Sequence, residues 1–189
     1  LFGRDRETID EAYPGDVVGL VNPGLFTIGD TLTSDPSLTF DPIPHFPPEC
    51  FGLLRTQDIS KHKQFQKGLK QLEEEGVMQI FYSPDHVRRE PVLAAVGELQ
   101  FDVVMSRLEN EYGVKTTVER MPHSLARWIV GDAATISAVY WPSDTVRLVD
   151  QQGRAVMLFI TEHLLADCIK SNPSIKFLLR EEVEQATAQ

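Results

Sequence analysis

Cysteine is scarce in this 189-residue chain, and no apolar run is long enough to cross a membrane as a helix. The two cysteines, Cys50 and Cys168, lie far apart and form neither a Cys-x-x-Cys pair nor a Cys/His cluster. We therefore expect free thiols in a reducing compartment, with a disulfide or a reactive thiol as the alternative. The first residues also lack the apolar core of a signal peptide. A cytoplasmic protein without a membrane partner is expected.

Basic residues are also fewer than acidic residues. The chain has 18 Lys and Arg against 28 Asp and Glu, for a net charge of −10. General nucleic-acid binding, including DNA binding, is disfavoured because phosphate contacts need a clustered surplus of cations. The charge is uneven, however: residues 49–121 hold 10 basic and 12 acidic residues. A local basic face in this middle part remains open.

Sequence motifs for catalysis are missing. The chain has no Gly-x-x-x-x-Gly-Lys-Ser/Thr loop, no Gly-x-Gly-x-x-Gly and no Gly-x-Ser-x-Gly. Its five histidines are scattered, and no two are three to five residues apart. We therefore predict no catalytic, cofactor-binding or metal-binding residue, and this chain is not expected to be an enzyme.

The first part of the chain is rich in β-strand and turn signals. Short strand-like runs at residues 16–21 and 27–28 are separated by Pro-Gly and Gly-Asp turns. Residues 1–44 therefore predict part of an antiparallel β-barrel, and because so few strands cannot close a barrel, half of that domain is expected to be missing. Residues 41–48 contain four prolines, which predicts a stiff linker and a domain boundary.

The pattern after the linker predicts the order β-α-β-β-α-β. Strands are predicted at residues 50–55, 77–82, 91–96 and 114–119, and helices at residues 61–75 and 98–112. In the first helix Phe65, Leu69 and Leu72 recur at helical spacing, and Gly76 can end it. Residues 48–121 thus predict a ferredoxin-like unit.

Residues 122–189 predict an additional α/β segment. It comprises a strand at 126–130, a hairpin of strands 145–150 and 155–160, a helix capped by Thr161, a short strand at 175–179 and a frayed end from 181. Residues 132–155 carry no recognisable motif. Residues 48–189 together form the second predicted domain, and the predicted fold class is α+β.

Two groups of cations are candidate contacts for a nucleic-acid phosphate backbone. They are Lys61, Lys63, Lys67 and Lys70 on the first helix, and Arg88 and Arg89 in a turn between two strands. The residues alone favour the simpler interpretation of a solvated helix face and a solubilising loop. Trp128 and Trp141 are expected to anchor a core or an interface rather than to stack on a ligand.

Several segments resemble translational GTPases. Residues 94–104, Ala-Ala-Val-Gly-Glu-Leu-Gln-Phe-Asp-Val-Val, are similar to the strand-to-helix junction in the third domain of that superfamily. Gln100 and the residues that follow it resemble the release factor 3 family of class II release factors more than the elongation factors, which usually have His there. The linker at 40–49 and the helix at 64–76 are similar to the same family, and residues 11–20 and 28–32 resemble the second half of the superfamily's barrel.

The resemblance implies a function exercised within a larger protein. Members of this family are cytoplasmic GTPases that bind the ribosome and promote the departure of class I release factors. By resemblance, GTP or GDP and Mg belong to the parent's N-terminal domain, which is absent here. This part would be non-catalytic. Its implied partners are the small-subunit side of the ribosome, class I release factors indirectly, and the parent's own GTPase domain.

Two alternatives stay open at this point. An elongation factor or a ribosomal-protection GTPase shares the barrel and the Gly97-Glu98-Leu99 sequence. A ferredoxin-like regulatory module that binds a small ligand is the rival from another class, but it does not account for a half barrel ahead of the linker.

Overall fold

A computed structural model describes residues 8–21, 25–26, 28–38, 40, 46–84 and 90–187. The chain divides into two compact units, residues 1–39 and 40–189. None of the helices among the described residues has the length and apolar character that a membrane span requires. Cys50 and Cys168 are both free, as predicted.

The first unit contains turns where the sequence predicts them. The Asp16 amide donates to the Tyr13 carbonyl at 2.9 Å, and Gly15 has a φ of +99°. Residues 8–21, 25–26 and 28–38 form no strand, so the strand predicted at 16–21 is not present. A strand requires a hydrogen-bonded neighbour, and the side chains of Val17 and Val21 are 93% and 96% exposed instead of packed. The partial barrel is therefore not confirmed.

The second unit contains the βαββαβ order that the sequence predicts. Its elements are β1 (Cys50–Thr56), α1 (His62–Glu74), β2 (Gln79–Tyr82), β3 (Pro91–Ala95), α2 (Leu99–Tyr112) and β4 (Thr116–Met121). Their bounds lie within two residues of the predicted ones. The strand order β4-β1-β3-β2, with antiparallel neighbours, is that of a ferredoxin-like unit.

The remaining elements extend the same sheet. They are β5 (Leu125–Val130), α3 (Ala133–Ser137), β6 (Val146–Val149), β7 (Ala155–Phe159), α4 (Glu162–Ser171), β8 (Lys176–Leu178) and α5 (Arg180–Thr187). The eight strands found among the described residues form one antiparallel sheet in the order β4-β1-β3-β2-β6-β7-β5-β8. The α+β class is therefore confirmed.

The prediction of a frayed C-terminal end is wrong. Residues from 180 form α5, and Val183 is only 6% exposed because it packs against the sheet. The Glu182 carboxylate accepts a hydrogen bond from the Leu179 amide at 2.6 Å and so caps the start of the helix. The buried Val183 side chain and the Glu182 cap therefore stabilise a helix whose other residues are mostly polar.

In the part of the chain that the structure describes, three apolar clusters form the core. The first lies between the sheet and helices α1 and α2, where Phe65, Leu69 and Leu108 are buried. The second covers the opposite face and contains Phe81 and Trp128. The third packs α4 against β5 and β7. The residues that recur at helical spacing in the predicted first helix are therefore members of the first cluster.

Candidate interaction surface and the centre of the sheet

The four candidate lysines do not share one environment. Lys61 lies immediately before α1, and its Nζ donates to the Gly113 carbonyl at 2.7 Å. This contact satisfies a free carbonyl at the C-terminal end of α2, where positive charge is favourable. Lys61 therefore has a structural partner within the chain.

The lysines further along α1 face solvent. Lys70 approaches Glu74 at 3.5 Å in an exposed pair one helical turn apart. Lys63 and Lys67 are both exposed on α1. Because residues four apart lie on the same helix face, these two cations are neighbours on one surface. Arg88 and Arg89 lie outside the described residues.

An ion-pair network occupies the adjoining surface between α1 and α2. The Arg107 guanidinium donates to Glu111 at 2.6 and 2.9 Å and contacts Glu75 at 2.5 Å. Hydrogen bonds from Arg107 hold the pKa of both carboxyl groups below the usual range. The negative charges of Glu75 and Glu111 are therefore paired with Arg107 within the chain.

The segment that carries the family resemblance forms a hydrogen-bonded junction. The Gln100 Oε1 atom accepts from the amides of Val96, at 2.7 Å, and Gly97, at 3.3 Å. Its Nε2 atom donates to the Val77 carbonyl at 3.0 Å. A side chain at position 100 that both donates and accepts therefore joins the β3–α2 turn to the start of β2. Glu98 makes no capping bond and instead pairs with Arg120 at 3.0 Å.

The structure also brings together polar and charged groups that are far apart in the sequence. The Glu73 carboxyl on α1 accepts hydrogen bonds from the Ile80 amide and from Gln151 in the β6–β7 turn. Burial raises the pKa of Glu73 to about 7, although the two hydrogen bonds from Ile80 and Gln151 and the charge of Arg180 each lower it; the charge of Asp150 adds a smaller upward effect. In the sequence Glu73 is only the first member of an acidic run, and no local signal indicates its burial.

Asp150 is the centre of a second buried set of contacts. Its Oδ2 atom accepts from the indole Nε1 of Trp128 at 2.9 Å and from Arg154 Nε at 2.6 Å. Its Oδ1 atom accepts from the amides of Gln152 and Arg154 at 3.0 and 2.9 Å. Trp128 is thus a core residue, as predicted, and Trp141 packs against the third apolar cluster, with the Arg147 guanidinium 5.4 Å from the centre of its ring.

A cleft beside β5 is lined mainly by apolar side chains, with Arg147 and Arg154 among its lining residues. Arg154 is engaged by Asp150. No group of three or more possible metal ligands is found among the described residues. His123 is buried in the turn after β4, and burial lowers its pKa. None of these arrangements combines a nucleophile with a base.

Comparison with known proteins places the fold in a family. Residues 40–168 match the family model for the C-terminal domain of class II release factor RF3, and residues 1–35 match that for elongation factor G domain 2. The chain therefore belongs to the class II release factor family, a class of translation termination proteins.

The chain is also similar to proteins named peptide chain release factor 3. The chain is 48% identical to that of Nostoc punctiforme and 49% identical to that of Synechococcus elongatus, in each case over 93% of this chain and 32% of the relative. It is 48% identical to that of Gloeobacter violaceus, over 94% of this chain and 34% of the relative. The chain thus spans about a third of the length of these relatives. The predicted resemblance to the release factor 3 family is confirmed.

Proposed function

We propose that this chain is the non-catalytic part of a translation-termination GTPase, docks on the ribosome and couples conformational change to release-factor departure. The observation that carries the proposal is the family match over residues 40–168 together with the release factor 3 relatives. The same relatives favour a release factor over an elongation factor or a small-ligand module.

The parent protein in this proposal is a cytoplasmic GTPase. Its GTP or GDP and Mg bind to a domain outside this chain, and its activity promotes the dissociation of class I release factors from the ribosome. Residues 1–44 belong to the barrel that follows the GTPase domain, and residues 48–189 form the docking body. Four prolines at 41–48 make a stiff connection suited to movement of that body as a unit.

Lys63 and Lys67 are the leading candidates for the contact with the small-subunit side of the ribosome. Both are exposed and lie one turn apart on α1. Lys70 stands beside them, and its exposed pair with Glu74 is weak enough to exchange for a phosphate. Arg88 and Arg89 remain candidates from the sequence. Lys61 is the least suited of the set because Gly113 holds its amine.

Charge reversal in the full-length protein tests this contact. The double variant Lys63→Glu and Lys67→Glu is expected to weaken ribosome binding about tenfold, or about 1.4 kcal/mol, at low salt. The difference should shrink as salt is added because exposed charges are screened. Lys176→Glu is the control, since Lys176 is exposed on β8, an edge strand in the half of the sheet that α1 does not cover. Binding equal to that of the parent and the control would contradict the contact.

A second experiment tests the assignment of the catalytic site to another part of the parent. Calorimetric titration of this chain with GTP and Mg is expected to give no heat of binding, and no phosphate should be released. Micromolar affinity for GTP would contradict the proposal. The full-length protein with its GTPase domain is the positive control.

A further inference from the structure

The cleft beside β5 has a volume of about 490 Å³. It belongs to the half of the sheet formed by β6-β7-β5-β8, whereas α1 and α2 cover the half formed by β4-β1-β3-β2. Val149 on β6 and Ala155 on β7 occupy paired positions and line the cleft, and Ile136 of α3 supplies a further apolar wall. The volume lies within the range of about 300–1,000 Å³ that is usual for ligand-binding clefts.

The cleft is open to solvent on one side. Val130, at the end of β5, is 40% exposed, and the lining residues Gly131 and Gly153 are exposed as well. Sites for small molecules enclose most of the surface of their ligand. An open apolar cleft instead suits a side chain of a peptide segment, because the chain on either side of that side chain can leave the cleft.

Arg147, which also lines the cleft, differs from the other arginines in the part of the chain that the structure describes. Each of the other six pairs with a carboxylate, namely Arg55, Arg107, Arg120, Arg127, Arg154 and Arg180. The described residues supply no carboxylate partner for Arg147, although the net charge of the chain is −10. Its exposed guanidinium is therefore available to an acid from another molecule.

Trp141 holds the Arg147 guanidinium in position. The guanidinium lies over the indole ring, 5.4 Å from the ring centre, and Trp141 itself packs against the third apolar cluster. A guanidinium stacked in this way keeps the N–H donors at its edge free, and their planar arrangement matches a carboxylate. Arg154, the other arginine at the cleft, is already engaged by Asp150. Recognition of an anion therefore depends on Arg147.

We propose that this cleft is a docking site for a protein segment that carries an apolar side chain and, one or two residues away, a carboxylate. The apolar side chain enters between Ile136 and strands β6 and β7, and the carboxylate pairs with Arg147. Successive residues of an extended segment are about 3.3 Å apart, so a carboxylate at this spacing stays at the mouth of the cleft. The site is separate from the lysines of α1, which lie on the other half of the sheet and would contact the ribosome.

Titration of the isotope-labelled full chain with short blocked peptides, followed by NMR, tests the site. The probe is N-acetyl-Phe-Asp-Asp-amide. One comparison peptide, N-acetyl-Phe-Asn-Asn-amide, lacks the charge, and the other, N-acetyl-Gly-Asp-Asp-amide, lacks the apolar side chain. We expect the probe to shift the amide resonances of Val130, Gly131 and Ala155 in a saturable manner. It should bind about two- to fivefold more tightly than the uncharged peptide, as is typical of an exposed ion pair. The glycine peptide should not saturate.

Variants of the chain assign the charge preference to one residue. Arg147→Gln is expected to bind the charged and uncharged phenylalanine peptides equally, without weakening the uncharged one. Arg55→Gln is the matched control and should keep the preference, since Arg55 is a half-exposed strand arginine in the other half of the sheet.

Four results would overturn the docking site. They are the absence of saturable shifts at the cleft, a charge preference that survives Arg147→Gln, glycine and phenylalanine peptides that bind equally well, and tighter binding of the free acid indole-3-acetate than of the probe. The last result would make the cleft a site for a small molecule.

Discussion

The rings of Phe81 and Trp128 lie edge to face with centroids 5.6 Å apart, although β6 and β7 separate their strands in the sheet. In a flat sheet three strand spacings amount to about 14 Å. The contact therefore requires a strongly coiled sheet that brings its two halves together on one face. The second apolar cluster lies on this inner face and contains residues from both halves.

Replacement of Trp128 tests the importance of this contact. Trp128→Phe keeps an aromatic ring but removes the indole hydrogen bond to the buried Asp150 carboxylate. We expect the free energy of unfolding to fall by about 1–3 kcal/mol, as for other buried polar groups that lose a donor. Urea denaturation measures the change. Trp141→Phe is the control and should cost less than about 1 kcal/mol, and equal losses for the two variants would contradict the assigned role.

Gly68 marks a close approach between α1 and α2. A Cβ atom at this position would lie 2.7 Å from Leu108 Cδ2 and 3.0 Å from the Tyr112 ring. Alanine gains about 1 kcal/mol in helix propensity, but overpacking against a buried leucine costs about 1–3 kcal/mol. We expect Gly68→Ala to lower the thermal midpoint. Gly97→Ala, where a Cβ atom meets nothing within 4 Å, should leave it nearly unchanged. A stabilising Gly68→Ala would show that the two helices can separate without cost.

The unfolding free energy should depend on pH through Glu73. Its folded-state pKa of about 7 lies above the ordinary value of 4.5, so the folded protein holds a proton that the unfolded chain releases in this window. The stability contributed by the protonated group is complete below pH 4.5 and is lost as pH rises towards 7. After allowance for partial exposure, Glu73→Gln should stabilise the protein by about 1–2 kcal/mol above pH 7.

Denaturant titrations at acidic and mildly alkaline pH measure this difference. The variant and the parent should be nearly equal at the acidic end because glutamine resembles a protonated carboxyl group in shape and charge. Glu74→Gln is the control, since Glu74 is the exposed neighbour of Glu73 and pairs with Lys70. A stabilisation by Glu73→Gln that is the same at both ends would show that titration is not its cause.

The C-terminal helix α5 should contribute to stability through the burial of Val183. Val183→Ala removes buried methyl groups from the second apolar cluster and is expected to cost about 1 kcal/mol or more. Gln185→Ala, on the exposed side of the same helix, should be neutral or slightly stabilising because alanine favours helices. Thermal unfolding of the two variants checks this. No loss for Val183→Ala would mean that α5 is frayed in solution.

Much of the second unit follows from local sequence patterns. The spacing of Phe65, Leu69 and Leu72 predicts α1, and all three are buried in the first cluster. Gly113 has a φ of +68° and ends α2 at the predicted position. Periodicity and turn residues are sufficient here because each helix lies over a sheet built from neighbouring segments.

The contacts between distant segments could not be predicted in the same way. Lys61 looks like any other lysine of a basic helix, yet its amine binds Gly113, which is 52 residues away. Glu73 looks like part of a solvated acidic run, yet Gln151 lies against it. Both roles depend on the position of a partner that the local sequence does not contain.

The sequence by itself determined the βαββαβ order, the family and the absence of known catalytic motifs, because these depend on periodicity and on short motifs. Only the tertiary structure decided that residues 125–178 extend the same sheet, that Val183 anchors a terminal helix and that Glu73 bridges the two halves. The pairing of β2 with β6 and the contact of Gln151 with Glu73 both join distant chain segments, in the second case residues 78 apart. Burial, in turn, places the pKa of Glu73 in the neutral range.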